Sequence, residues 1–246
     1  MAVRPSDDPR WPPGGEPPAD EGRGASPGVV PERLCAVAVR LLPVIGASAS
    51  LRDGDGLPVR LCASSDRASY LAEVQATLGD GPCVSAAESG APVIARDLRY
   101  GADADRWPVF AQQATAVGVN AVYALPLGSD TVCVGTLDLY RDTPGGLTGA
   151  ELNTARLLAG VMTTALMDLP HGEEYGLGGG EDAWLSGLGG GHDEVYQAVG
   201  MIMAQLGVGA DEALARLRGA AFARGRTAHD VARDVLAHRQ RFDLDG

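Results

Sequence analysis

The sequence predicts an α+β protein in which a body of strands and helices precedes a small all-helical tail. Three observations predict it. Two alternating runs, AVYALPL at 121–127 and VCVGTLDLY at 132–140, flank the short polar segment GSDT and read as a β-hairpin. The last fifty residues carry only helical periodicity, with apolar positions recurring every three or four residues. Between the two lies GLGGGEDAWLSGLGGG at 176–191, whose glycines mark a linker.

The chain of 246 residues is long enough for one large domain or two smaller ones, each with its own core. Its 34 glycines and 16 prolines concentrate at the start and in the linker, so four stretches are expected. These are a disordered arm at 1–31, a body at 32–169, the linker at 170–191 and the tail at 192–242. All 20 cationic side chains are arginine, which excludes a Gly-Lys-Ser/Thr phosphate loop and a Schiff-base lysine. The 4 histidines, His171, His192, His229 and His238, all follow the body, leaving it no imidazole for general-base catalysis, zinc or haem. No catalytic centre, metal or cofactor is therefore expected. The scattered cysteines, the absence of a ~20-residue apolar run and a proline-rich start unlike a secretion signal fit a reduced, cytoplasmic protein with no membrane span.

In chain order, PERLCAVAVRLLPVI reads as a helix with Leu34, Val37 and Leu41 inward and Pro43 ending it. GASASLR and PVRLCASS follow as strands joined by the turn RDGDG. DRASYLAEVQATLG is helical with Gly79 as its cap, and GDGPC turns into a short helix, VSAAESG. PVIARDL is a third strand, WPVFAQQATAVG another helix, and then comes the hairpin. In its second strand Cys133, Gly135, Leu137 and Leu139 make an apolar face, whereas Val134, Thr136, Asp138 and Tyr140 make a mixed one that can line a semi-polar cavity. The closing helix, 148–169, starts at a Thr148/Glu151 capping box. Leu152, Ala155, Ala159, Met162, Leu166 and Leu169 form one stripe, and Leu158, Val161 and Ala165 form a second beside it. The two make either one broad core face or one face for the sheet and one for a second chain.

This order of elements, with GDGPC, PVIARDL and the ALPL…VGTLDLY hairpin before a long closing helix, resembles the GAF sensor family over about residues 32–169. The resemblance implies an antiparallel sheet flanked by helices that senses a small molecule or dimerises, here through helices 32–42 and 148–169. The cyclic-nucleotide signature of some members is absent, and the ligand is unknown. Because some GAF proteins are cysteine-based sulfoxide reductases, Cys62, Cys83 and Cys133 pose two readings: a redox centre, or thiols packed in strands and behind a turn.

The tail predicts three helices: Asp193 to Leu206, Ala210 to Ala223, and one from Thr227, whose partner Asp230 stands at capping-box spacing. Val195, Val199, Ile202 and Leu206 share a buried stripe on the first, which leaves Gly200, with Gln197 and Ala204, on the opposite side. Net charge is −12, of which residues 192–246 carry almost none: 7 arginines there face 8 acids. Arg216 and Arg233 point outward, Arg218 lies at a stripe's edge, and Arg224 and Arg226 sit in a turn, so the five can form one guanidinium surface suited to phosphates and bases. The competing reading is an ion-paired solvent face, since Asp211, Glu212, Asp230 and Asp234 are near in sequence.

The segment VYQAVGMIMAQLGVGADEALARLRGAAFARGRTAHDVARDVL closely resembles the ANTAR family. The match runs through Gln197-Ala198, Gly200-Met201 and Met203, then Glu212-Ala213, Leu217-Arg218, Arg226 and Val231-Ala232. Val199 departs from it, since many members carry a cation there. The resemblance implies binding of hairpin loops in nascent RNA and transcription antitermination, controlled by the body as a homodimer. On that reading the RNA-binding residues are Gln197, Gly200, Arg216, Arg218, Arg224, Arg226 and Arg233, Gly200 allowing another backbone to come close. Two alternatives stand beside it: a helix-turn-helix DNA binder, against which Asp230 and Asp234 weigh, and a cysteine-based redox enzyme.

Overall fold

The computed structural model describes residues 29–52, 58–129, 132–167 and 192–243. The arm up to residue 28, most of the RDGDG turn, the middle of GSDT, the linker, His171 and Leu169 lie outside the described residues.

The chain enters as α1 (Val29–Leu41), which begins inside the stretch expected to be an arm. It continues through β1 (Gly46–Arg52), β2 (Pro58–Ala63), α2 (Asp66–Leu78) and α3 (Pro82–Ser89). β3 (Val93–Ala95), α4 (Ala102–Arg106) and α5 (Pro108–Ala116) follow, then β4 (Ala121–Gly128), β5 (Cys133–Arg141) and α6 (Gly149–Met167). The strands make one antiparallel sheet in the order β2-β1-β5-β4-β3. Alternation along the strands decides which helices each face receives. Ala47, Ala49, Leu51, Tyr123, Leu125, Leu127, Leu137 and Leu139 pack under α1 and α6. Val122 and Tyr140 point the other way, under α2 and α5.

Local chemistry sets the helix ends. Ser65 accepts from the Ala68 N–H at the start of α2, and Gly79 closes it at φ 63. Gly81, at φ 141, lets the next turn pass so close that a Cβ there would lie 2.6 Å from Gln75 Oε1. Thr148 N donates to Glu151 Oε2 over 2.6 Å and Glu151 N to Thr148 Oγ1 over 3.3 Å, the expected capping box of α6.

Three expectations are corrected. Leu41 is 61 % exposed; α1 buries Cys35 and Ala38 instead, and Leu42 just beyond its end is buried too. PVIARDL yields only a three-residue strand, because Asp103 Oδ2, on an α4 that the sequence reading missed, captures the Arg96 and Asp97 N–H groups at 2.6 and 3.2 Å. On α6, Ala155, Leu158, Ala159, Met162 and Leu166 all face the core, and the exposed apolar side is Leu157 (72 %) and Val161 (54 %).

The tail is a three-helix bundle of α7 (His192–Leu206), α8 (Ala210–Ala223) and α9 (Ala228–Leu236). Its core joins Ala198, Val199, Ile202 and Leu206 to Ala213, Leu217 and Ala221 and to Val231, Ala232 and Val235. Thr227 caps α9 through a capping box with Asp230, as the spacing predicts. The bundle rests on the body's α2, against α8 and the start of α9. Among the described residues, no single helix is long and apolar enough to cross a membrane.

Candidate nucleic-acid interface and sensor site

On α7, Gln197, Gly200 and Ala204 are exposed on the side away from the bundle core. A Cβ built on Gly200 meets nothing within 4 Å, so glycine is not required there by packing inside the chain. Val199 is 6 % exposed and packs inward.

The arginines are placed by their partners. Arg216 Nη2 lies 2.8 Å from Glu212 Oε1, one turn back on α8. Arg218, half-buried, stands about 200° round the helix from Arg216, so α8 presents the two on different sides. Arg224 is exposed and reaches the Ala220 carbonyl at 3.4 Å. Arg226 Nη1 donates to Asp234 Oδ2 over 2.5 Å, and its Nη2 to the Asp230 carbonyl. Asp234 also takes Arg239 at 2.7 Å, an arginine that the sequence reading passed over. These partners hold the Asp234 carboxyl below the usual carboxylate range. Arg233 Nε comes to 3.5 Å from Glu194, whose carboxylate also meets His229 Nε2 at 2.8 Å. The arginines therefore sit in a mosaic with acids, and Asp234 brings Arg226 and Arg239 together. The sequence reading also missed two exposed aromatics, Tyr196 (50 %) and Phe222 (59 %). Phe222 falls one turn beyond Arg218 and off the Ala213/Leu217/Ala221 stripe, which is the signal that could have found it.

The body holds a second cluster where the mixed face of β5 meets α2 and α3. Ser48 stands opposite Asp138, and Ser50 opposite Thr136, on paired strands. Ser48, Ser50, Gln75, Thr136 and Asp138 are all at most 2 % exposed. Gln75 Nε2 donates to Asp138 Oδ2 over 3.1 Å, while Gln75 Oε1 accepts from the Cys83 N–H over 2.8 Å. Ser48 Oγ and the Tyr140 hydroxyl are 2.9 Å apart. Asp138 Oδ1 and Ser50 Oγ are buried without a hydrogen-bond partner among the described residues. Burial pushes the Asp138 carboxyl up to about 7, against the opposing Gln75 bond.

Of the cysteines, Cys62 and Cys83 are buried as the packing reading expects, and burial pushes the Cys83 thiol well above its ordinary value. Cys133 is half-buried. Cys35 and Cys62 face each other with sulfurs 3.4 Å apart, and the Cys62 contact followed by burial raises the Cys35 thiol. No group of metal-ligating side chains gathers among the described residues.

The GAF domain family matches residues 25–167, and the ANTAR domain family matches residues 191–236. No curated protein matches the chain. Among solved structures, the GAF domain region of a protein from Geobacter sulfurreducens PCA is 16 % identical with a TM-score of 0.48, covering 57 % of this chain and 93 % of that one. A GAF domain/HD domain protein from Geobacter sulfurreducens is 16 % identical with a TM-score of 0.44, covering 57 % and 92 %. The type II free methionine-R-sulfoxide reductase of Thermoplasma acidophilum is 13 % identical with a TM-score of 0.44, covering 58 % and 93 %.

Proposed function

Because the chain belongs to the GAF domain family and carries an ANTAR domain after it, we propose that it is a signal-responsive transcription antitermination regulator whose tail binds hairpin RNA in nascent transcripts. The observation that carries this reading is the bare strip Gln197-Gly200-Ala204 on α7, open to solvent and floored by backbone. An RNA loop splays its bases outward, so a smooth strip with an amide beside it can meet base edges and sugars that a bulkier helix face would hold off. Arg218, Arg224, Arg226 and Arg233 supply phosphate contacts, with Arg216 behind them. Each arginine that leaves an acid for a phosphate exchanges one ion pair for another, so the acids tune affinity rather than abolish it. The exposed ring of Phe222 adds a stacking face.

The body acts as sensor and as dimerisation unit. Two copies joined through α1 and α6, where Leu41, Leu157 and Val161 are exposed, would present two tails to paired hairpins. The buried Asp138 cluster is where a small-molecule signal would be read. A redox enzyme is disfavoured by the raised Cys83 thiol, since the thiolate is the reactive form. A helix-turn-helix DNA reader is disfavoured because Asp230 and Asp234 lie on α9, the helix that would enter the major groove. Side-by-side titration of the full-length protein with stem-loop RNA and with duplex DNA of matching sequence tests the proposal: preference for the RNA loop supports it, and preference for the duplex overturns it.

A further inference from the structure

α2 carries two contacts with different destinations. Gln75 turns inward, tying Asp138 on β5 to the Cys83 N–H at the start of α3. Thr77, two residues on, turns toward the tail, and its Oγ1 accepts from Ala228 N over 2.9 Å. That amide belongs to the first residue of α9, one of the donors that a helix cannot satisfy internally. Thr227 and Asp230 cap each other's backbone N–H groups nearby, leaving Ala228 N to the body. Thr77, Thr227 and Ala228 are 7, 6 and 9 % exposed, so water does not replace this bond while the two parts touch.

We propose that the C-terminal end of α2 is the docking surface for the tail bundle, and that Gln75 links that dock to the Asp138 cluster. The occupant is the start of α9, with the flank of α8 beside it. The proposal rests on the sensor reading above. A signal that draws the Gln75 amide away from Asp138 or Cys83 shifts the last turn of α2, where Thr77 sits, and weakens the hold on the tail. Coupling of this kind is reciprocal, so loosening the dock must also loosen the cluster.

The test is amide hydrogen exchange in the full-length protein, which needs neither RNA nor a known signal. Thr77→Val keeps the side-chain shape and removes the acceptor; Thr77→Ser keeps the acceptor. In Thr77→Val the Ala228 amide is expected to exchange about tenfold faster and the Cys83 amide several-fold faster, with Leu139 unchanged as a core reference. Thr77→Ser should match the parent at all three. Unchanged exchange at Ala228 overturns the dock, and faster exchange at Ala228 with Cys83 unmoved overturns the link. A protein that passes this test yet ignores RNA contradicts the antitermination reading while leaving the dock intact.

Discussion

Ser48 and Asp138 face each other across β1 and β5, both fully buried, and the Tyr140 hydroxyl reaches toward both, 2.9 Å from Ser48 Oγ and 3.5 Å from Asp138 Oδ2. An acid in this position shapes how the protein responds to pH.

Burial raises the Asp138 carboxyl to about 7, above its value in the unfolded chain, near 4. Between those values the native state holds a proton that the unfolded state has lost, so stability falls as pH rises from about 4 to 7. The full effect is at most a few kcal/mol. Chemical denaturation from pH 4 to 8 should show this slope, and Asp138→Asn should flatten it. A variant with the parent's slope would remove Asp138 as its source.

Gly200→Ala separates packing from recognition. With nothing within 4 Å of the added Cβ, the substitution should stabilise α7 by up to about 1 kcal/mol, because glycine is the weaker helix former. It should also weaken RNA binding about fivefold or more. Thermal melting and an RNA titration on the same sample check both, and a stabilised variant with undiminished binding means that nothing approaches this strip.

Arg218→Ala and Arg226→Ala should each reduce RNA affinity about fivefold to tenfold and lower the slope of affinity against salt by about one. Both should leave the fold intact, since partly exposed ion pairs such as Arg226–Asp234 contribute ~0–1 kcal/mol. Titrations at several salt concentrations decide this; binding unaffected by both changes removes the arginines from the interface.

Leu157→Glu places a charge on the exposed apolar side of α6. If that side joins two copies, sedimentation should show dimer affinity weakened tenfold or more. An unchanged dimer would put the interface elsewhere.

The sequence carried most of the local architecture and little of its long-range wiring. β1 and α8 run where their periodicity places them, and α2 ends at its glycine cap, because the cues lie within a few residues of the ends. Asp138 was legible as part of a mixed face, since alternation alone assigns sides to a strand. Its Gln75 partner was not, because that bond joins residues 63 apart in sequence. The same holds for Thr77 and Ala228, separated by 151 residues, and for the Asp103 carboxylate that ends β3. The arginine surface shows the limit most clearly: helical angles place Arg226 outside the core, and only the fold brings Asp234 to it.

The most direct test of the whole account is sequencing of RNA cross-linked to the full-length protein in its own cells, compared with the Arg218→Ala/Arg226→Ala double variant. The account predicts reads concentrated on stem-loops that precede transcription terminators, lost in the double variant. Reads spread evenly over transcripts, or unchanged by the double variant, would contradict it.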